Sequence, residues 1–548
     1  MDATSVLPPE APEQLPAHLA PDDVATAIRV LDACVALDVE AYESSKALRP
    51  LRGALGPLVA RALGRTFDGS GAADGSAKAA ARKAHKRAAN RARQQAVAAE
   101  KKAADRCALR AARLERLAAS ADGLPRIADG PCVAEEAPAA DGAGGPAWRL
   151  ASCYGCRARF PANERHAFYG TSFCGACAAL NYGKRTQAAD LRGKACVVTG
   201  ARVKIGFRVA LTLLRCGARV VATTRFPADC AARFATQADV GDWRDRLTVV
   251  GADFRDLSAV EALSDALYDL LPDGLDVLVN NACQTVRRPP QYYEPLLRRE
   301  LDLRNALAGG AATKLLTSEA AGHARAFAAP ASAVALRDVD KGDPARRSQL
   351  CVLPGDERRD DAAFPAAATD ANSDLGQQLD LRRTNSWTLK LEHVSTPELA
   401  EVFAINALAP FVLNSKLKAL LAKPELSFVV NVSAMEGKFY RRKQPTHPHT
   451  NMAKAALNML TKTSAGDYAD CGIYMTAVDT GWVNDEKPAH LAAAHAADHG
   501  FQSPIDEVDA AARILDPILA PLNRRAAGDA AATPPFGVFL KDYQETEW

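Results

Sequence analysis

No run of apolar residues in this chain approaches the ~20 needed to span a bilayer. Its first residues, MDATSVLPPEAPEQLPAHLAPDD, lack both the basic start and the apolar core of a secretory signal. These absences argue against a membrane protein and make a cytoplasmic location the expectation. Net charge is also nearly missing: 68 Lys and Arg against 65 Asp and Glu leave a formal +3, too little to name a partner. Nor is there a paired-cysteine frame. Thirteen cysteines, an odd number scattered through a long chain, read as thiols or metal ligands.

What is present divides the 548 residues into segments of different character. Residues 1–66 form a short helical region with a disordered start, its apolar residues Val24, Ile28, Leu31 and Val35 at helical spacing and Pro50 and Pro57 as breaks. Residues 67–150 hold a basic helix and a linker. Between Lys78 and Arg116 thirteen Lys or Arg face only Glu100, Asp105 and Glu115 on an alanine-rich background. That run is a solvated charged helix or a contact for nucleic acid or an acidic partner, and it lacks any element that reads bases. From 119 to 147 the chain is Ala, Gly, Pro and acid, a linker composition.

Residues 151–186 carry two C-x-x-C knuckles, Cys153-Tyr-Gly-Cys156 and Cys174-Gly-Ala-Cys177, seventeen residues apart. Two tight turns at that spacing close a tetrahedral four-sulfur site, and four thiolates leave no open coordination position, so a structural zinc is expected over an iron centre or redox thiols. So short a segment, with few large apolar groups, needs the metal to fold. His166 lies between the knuckles and is not needed as a ligand.

From 187 onward strand-like and helix-like patterns alternate. Strands are expected at Ala195–Thr199, Arg219–Thr224, Leu247–Ala252, Leu275–Asn280, Phe428–Ser433, Met475–Asp479 and Val538–Lys541. With helices between most of them, they make a seven-stranded, doubly wound parallel α/β sheet. In KACVVTGARVKIG, 194–206, an apolar strand breaks on Gly200 into a helix opening near Ile205, which aims free N–H groups at a site for pyrophosphate. Lys204 stands where the second glycine of a G-x-x-x-G-x-G turn would be.

The motif series TGARVKIG (199–206), Asp253, NNA (280–282), Asn406 in FAINALAPF, Ser433 in VVNVSAMEG, Lys454 in NMAKAAL and TGWV (480–483) resembles that of the short-chain dehydrogenase/reductases, in the family's order. The resemblance implies a Rossmann fold and a nicotinamide cofactor. It puts Thr199, Gly200, Ile205 and Gly206 in the glycine turn, Asn281 and Ala282 beside the adenosine, Asp253 at the adenine, Lys454 on the nicotinamide ribose, and Thr480 and Gly481 at the end of a later strand. It also implies that Ser433 polarises a substrate oxygen while Asn406 supports a proton-relay water.

The chain departs from the family's pattern in two places. Asn406 follows NNA by about 125 residues, and the excess at 305–380 has the composition of a flexible insertion lying outside the sheet. Its flanks, RRPPQYYEPL and LRRTNSWTLKL, could border a substrate pocket. Structure resumes at Ser395-Thr-Pro-Glu398, a capping box. Secondly, Thr450 occupies the place of the tyrosine in the family's Tyr-x-x-x-Lys, and a threonine hydroxyl is too weak an acid to replace a tuned phenol. The substitutes are Tyr440, the only tyrosine near the site in sequence, and His447 or His449.

The second strand ends in Thr223, Thr224 and Arg225 with no acid to meet a ribose hydroxyl, and Arg202 stands in the glycine turn. Arg is the natural partner of a 2′-phosphate, which favours NADP(H) over NAD(H). Two functions follow: an NADP(H)-dependent oxidoreductase acting on a small carbonyl or alcohol, monomeric or homo-oligomeric, or a non-catalytic dinucleotide-binding sensor or scaffold. On either, the Rossmann core is expected to be separate from the metal module.

Overall fold

A computed structural model of the protein describes residues 21–35, 106–119, 150–308, 335–338, 343–366, 377–439, 443–484, 486–492, 503–529 and 533–548, with isolated positions between 45 and 91. The chain divides into two compact units, Met1–Gln95 and Ala96–Trp548. In the first, the helix Pro21–Val35 takes the Val24, Ile28, Leu31 and Val35 pattern; the further helices expected before residue 66 lie largely outside the described residues. Most of the basic run does too. Its end forms the helix Ala108–Ala119, which is not merely solvated: Leu109 is buried, and Arg113 donates to the backbone oxygens of Ser503 and Ile505 at 2.5 and 2.7 Å.

In the second unit β1 (Leu150–Ser152) and β2 (Arg159–Pro161) pair antiparallel within the cysteine module. All seven expected strands follow: β3 (Ala195–Thr199), β4 (Arg219–Thr224), β5 (Leu247–Gly251), β6 (Val277–Asn280), β8 (Ser427–Ser433), β9 (Ile473–Asp479) and β10 (Phe539–Lys541). Two more, β7 (Ala335–Asp338) and β11 (Gln544–Thr546), complete a sheet of order β11-β10-β9-β8-β6-β3-β4-β5-β7, parallel except for the β10–β11 hairpin. The chain runs outward from β3 through β4 to β5 and resumes on the other side of β3 with β6, β8 and β9. The reversal between β3 and β6 opens a crevice at the carboxyl ends of the strands.

Buried β-branched residues hold the sheet from both faces, which is why the strands read as continuous apolar runs. Val198, Val220 and Val279 face a layer made by Phe207, Leu211 and Leu214 of the helix Lys204–Arg215 and Ile514 and Ile518 of the helix Glu507–Ala526. Val197, Val221 and Leu278 face Leu263 and Leu267 of the helix Leu257–Leu270 and Leu413, Leu417 and Leu420 beyond Asn406.

Three expectations change. The segment 305–380 does contribute to the sheet: β7 pairs in parallel with β5, Thr248 opposite Ala335 through Gly251 opposite Asp338. Averaged composition hid it, since the strand's Ala-Leu-Arg-Asp sequence has no apolar run and lies in an Ala- and Asp-rich stretch; β5 would otherwise present its edge. Residues 343–366 are likewise built in, Asp356 receiving both guanidinium nitrogens of Arg287 at 2.7 Å. The capping box is half formed. Ser395 Oγ accepts from Glu398 N at 3.3 Å, but the Glu398 carboxylate accepts instead from Ser386 Oγ. Finally, the helix Thr396–Leu421 is long and apolar enough to cross a membrane by length and composition, yet Leu413, Leu417, Leu420 and Leu421 are buried in the core beneath the sheet, while Leu408 and Phe411 are exposed.

Phe207 is fully buried, its ring centroid 4.5 Å from that of Phe234. Phe207→Ala is expected to cost about 3–5 kcal/mol of stability through lost burial and a residual cavity. A denaturant midpoint unchanged from the parent would show that this layer does not hold the sheet.

Candidate functional site

The crevice is a cleft of about 860 Å³. At its centre the glycine turn and the Asn-Asn-Ala turn after β6 lock together. Thr199 Oγ accepts from the backbone N–H of Asn281 and Ala282, both at 2.9 Å, and Asn281 Nδ2 donates to Thr199 O at 2.9 Å. Gly200 has φ +68°, and a Cβ there would meet Ala282 Cα at 2.8 Å; one on Gly206 would meet Asn281 Nδ2 and Gly200 O at 2.4 Å. These glycines are needed for the turn to close. The helix Lys204–Arg215 opens beside them, so unpaired N–H groups face the cleft, as a phosphate-bearing ligand requires.

At one end lie Thr224, Arg225 and Asp253. Thr224 Oγ accepts from Phe226 N at 3.2 Å. The carboxylate of Asp253 is held by Arg255, whose NH2 is 2.8 Å away. Arg225 donates to the Tyr293 hydroxyl at 3.3 Å and lies 5.0 Å from that ring's centroid. Burial pulls against the charge of Arg225, but the Tyr293 phenol and Asp253 hold its pKa above the ordinary arginine value. Burial would likewise raise Tyr293, yet the charges of Arg225 and Arg288 bring that phenol below its ordinary value. Arg202 also lines the cleft, but its guanidinium is spent on Asp229 Oδ2 at 2.9 Å.

At the other end Lys454 Nζ donates to Val432 O at 2.7 Å, and Ser433 Oγ donates to Asn458 Oδ1 at 2.5 Å. Ala434, the next residue on the cleft wall, offers only a methyl group. Asn406 sits in a π-helical turn, Ala404–Leu408, and its amide is committed to the backbone of Gln284, accepting from N at 2.8 Å and donating to O at 3.1 Å. Thr450 is buried, its hydroxyl without a partner among the described residues. Tyr440 lies outside the described residues. His447 lines the cleft with its ring stacked on Trp387 at 4.0 Å and Nδ1 2.9 Å from Trp387 O, and burial lowers its pKa. His449 is turned into the protein, Nε2 3.7 Å from Glu398 Oε1.

Both flanks of the insertion reach the cleft, through Arg288, Tyr292 and Tyr293 on one side and Trp387 on the other. Two further groups were missed in the sequence. Asp479, last residue of β9 and opposite Ser433 in register, is buried in the cleft wall and pushed up to about 6 by that burial. Tyr154, from the first cysteine knuckle, accepts from the backbone N–H of Trp482 at 2.9 Å. A tyrosine that is distant in sequence thus reaches this end of the cleft, although burial raises the Tyr154 phenol far above the range of a useful acid.

The sulfurs of Cys153, Cys156, Cys174 and Cys177 all lie within 4.8 Å of one another. Cys156 Sγ and Cys174 Sγ are 3.6 Å apart, close to the ~3.8 Å edge of a tetrahedron with ~2.3 Å metal–sulfur bonds. The four thiols could thus hold one metal ion. His166 is elsewhere, its Nδ1 accepting from Phe168 N at 3.2 Å. The module is not separate from the Rossmann core. Phe160, Phe168, Tyr169 and Phe173 share an apolar cluster with Val483, Ile505 and Ala510, and Arg185 pairs with Asp506 at 2.7 Å and Asp509 at 3.0 Å.

Asp479 gives a pH test. An unfolded Asp titrates near 3.9. With the folded group near 6, the folded chain keeps a proton that the unfolded chain has released, so this residue's contribution is most favourable below about pH 4 and is lost as pH rises to about 6. Asp479→Asn is expected to gain on the order of 2–3 kcal/mol over the parent between pH 4 and pH 7, read from denaturant midpoints. A parent–variant difference independent of pH would show an ordinary carboxylate.

Residues 194–295 match the family model of short chain dehydrogenases. An uncharacterised protein of Acanthamoeba polyphaga mimivirus is 28% identical over 376 residues, covering 67% of this chain and 71% of its own length. Among solved structures, a short chain dehydrogenase from Burkholderia cenocepacia in complex with NADP is 18% identical over 61% of this chain and 94% of its own, with a TM-score of 0.37. An NADPH-bound carbonyl reductase from chicken fatty liver is 17% identical over 65% of this chain and 100% of its own, also with a TM-score of 0.37. The match at 194–295 falls on the parallel sheet and glycine turn described above, so it is this part of the chain that is similar to the short chain dehydrogenases.

Proposed function

We propose that the chain is a cytoplasmic NADP(H)-dependent oxidoreductase acting on a small carbonyl or alcohol. The observation that carries this reading is the cleft itself, with Gly200 and Gly206 packed too closely for any Cβ at its centre and Arg225 and Lys454 at its two ends. Arg225 would take the 2′-phosphate, Lys454 the nicotinamide ribose, and Thr480 and Gly481 the wall beside the nicotinamide. When bound, the dinucleotide supplies or accepts the hydride. Polarising a substrate oxygen with Ser433 requires its hydroxyl to leave Asn458, and the proton must come from a group other than Thr450. Tyr440 is the first candidate, followed by His447, whose hold on a proton is weakened by burial and which is therefore better suited to relaying a proton than to donating one. The four cysteines are proposed to hold a structural zinc, and the chelating set fits it in number, kind and spacing.

A second reading, a dinucleotide-binding sensor without turnover, is favoured by the same end of the cleft: a Thr450 hydroxyl with no partner among the described residues and a Ser433 already engaged. NADPH oxidation against a panel of aldehydes, ketones and quinones separates the two. Turnover on any of them supports the oxidoreductase; tight NADPH binding with none supports the sensor.

Three outcomes are expected. Arg225→Ala weakens NADPH binding by about 1.5–3 kcal/mol and leaves NADH nearly unchanged, by fluorescence titration; equal loss of both would make Arg225 structural. On a confirmed substrate Tyr440→Phe lowers turnover roughly 10²–10⁴-fold with cofactor affinity kept, while Thr450→Val costs far less; full activity in the phenylalanine variant would move the role to His447 or water. Protein prepared without chelators carries one zinc per chain, and Cys174→Ser loses it; elemental analysis finding no zinc in the parent would remove the metal site.

A further inference from the structure

Five described residues other than glycine hold a positive φ, and three of them, Arg157 (65°), Lys204 (54°) and His447 (46°), line the cleft. Left-handed backbone costs an L residue about 1–2 kcal/mol that glycine does not bear. Glycine would therefore suit each position better unless the side chain is used. Such outliers collect at ligand clamps.

Arg157 follows the first knuckle directly, and its N–H donates to Cys153 O at 3.1 Å, closing the turn that sets two of the four sulfurs. The same turn carries Tyr154 to the backbone of Trp482, and its hydroxyl would lie 3.4 Å from a Cβ on Gly481. Ile205, next to Lys204, packs against the module's apolar cluster. The knuckle thus bridges the glycine turn and the Thr480–Trp482 turn. The phosphates of a dinucleotide in this cleft would lie at the glycine turn, under the knuckle. Three other cations of the cleft are already paired with carboxylates, Arg202 with Asp229, Arg288 with Asp380 and Lys541 with Asp542, while Arg225 and Lys454 lie at its two ends. Arg157 and Lys204 make no ion pair with any described residue, and Arg157 is exposed, 5.6 Å from the Tyr154 ring centroid.

We propose that Arg157 and Lys204 close as a pair of cations on the pyrophosphate of the bound dinucleotide, with the metal knuckle fixing Arg157 in place. Two charged side chains then do what a second glycine and bare backbone would do less strongly, and the four-cysteine module becomes part of the nucleotide site. This rests on reading the cleft as a dinucleotide site. It also means that loss of the metal loosens nucleotide binding.

Arg157→Gly and Lys204→Gly are the variants of choice, since each relieves backbone strain and so keeps the fold. Binding of NADPH and NADH to the full chain is followed by nucleotide fluorescence, with metal content measured on the same samples. Each variant is expected to bind both nucleotides about tenfold more weakly, the scale of a lost hydrogen bond to a charged group, with the metal retained. Unchanged affinities overturn the proposal, and loss for NADPH alone overturns the pyrophosphate assignment in favour of the 2′-phosphate. Chelator-treated parent is expected to lose the same factor, and chelator-treated Arg157→Gly no more than the variant already lost. Full affinity in the metal-free parent overturns the coupling. A parent that binds neither nucleotide brings down the dinucleotide reading itself, an outcome distinct from a parent and variants that bind alike.

Discussion

Everything at the cleft depends on how closely two turns approach each other. With Gly206 against Asn281 and Gly200 against Ala282, the ends of β3 and β6 sit so near that backbone, and not side chains, forms the floor. Thr199 makes the approach affordable by accepting two N–H groups that the Asn-Asn-Ala turn would otherwise leave unpaired. Without that contact the helix Lys204–Arg215 would begin elsewhere, and its positive end would face no common point with Lys454 or Arg225.

A second constraint joins the cysteine module to this floor. Tyr169 donates to Asp509 at 2.5 Å, Arg185 spans Asp506 and Asp509, and Asp506 caps the helix Glu507–Ala526 by accepting from Val508 and Asp509 N–H. A cluster of buried charges is weak as a source of stability but costly to break, because removing one partner strands the others. The module is therefore held in one orientation on the Rossmann domain. Asp509, raised to about 6 by burial and by its neighbour Asp506, is the member of that cluster closest to giving up its charge.

Much of this was legible in the chain itself. Six of the seven expected strands, all but β10, are apolar runs buried on both faces, so their pattern did not depend on partners, and the four cysteines announce their site by spacing alone. What stayed hidden was hidden for physical reasons. β7, Ala-Leu-Arg-Asp, lies among residues of loop character, and it becomes a strand because β5 supplies a partner edge. Asp479 reads as the end of a strand, and only burial changes its proton affinity. Tyr154 and Arg157 lie within a metal motif and reach the cleft through tertiary packing that no local pattern encodes. Arg202 and Glu398 differ in the opposite sense: each fits its motif, but in the folded chain its side chain meets a partner outside the motif, Asp229 or Ser386.

The π-helical turn at Ala404–Leu408 splits one long helix into two halves that do not share a phase. An α-helix advances about 100° per residue, so one extra residue in a turn rotates everything after it by about that angle. The half before the turn lays Glu398 and Glu401 toward the insertion flanks, where Ser386, Gln284 and Arg287 meet them. The half after it lays Leu413, Leu417 and Leu420 on the sheet. Asn406 occupies the joint. The helix is in effect a gearbox between a core that tolerates no change in phase and a loop face free to acquire new length, which allows some 125 residues to stand between Asn281 and Asn406 without disturbing either.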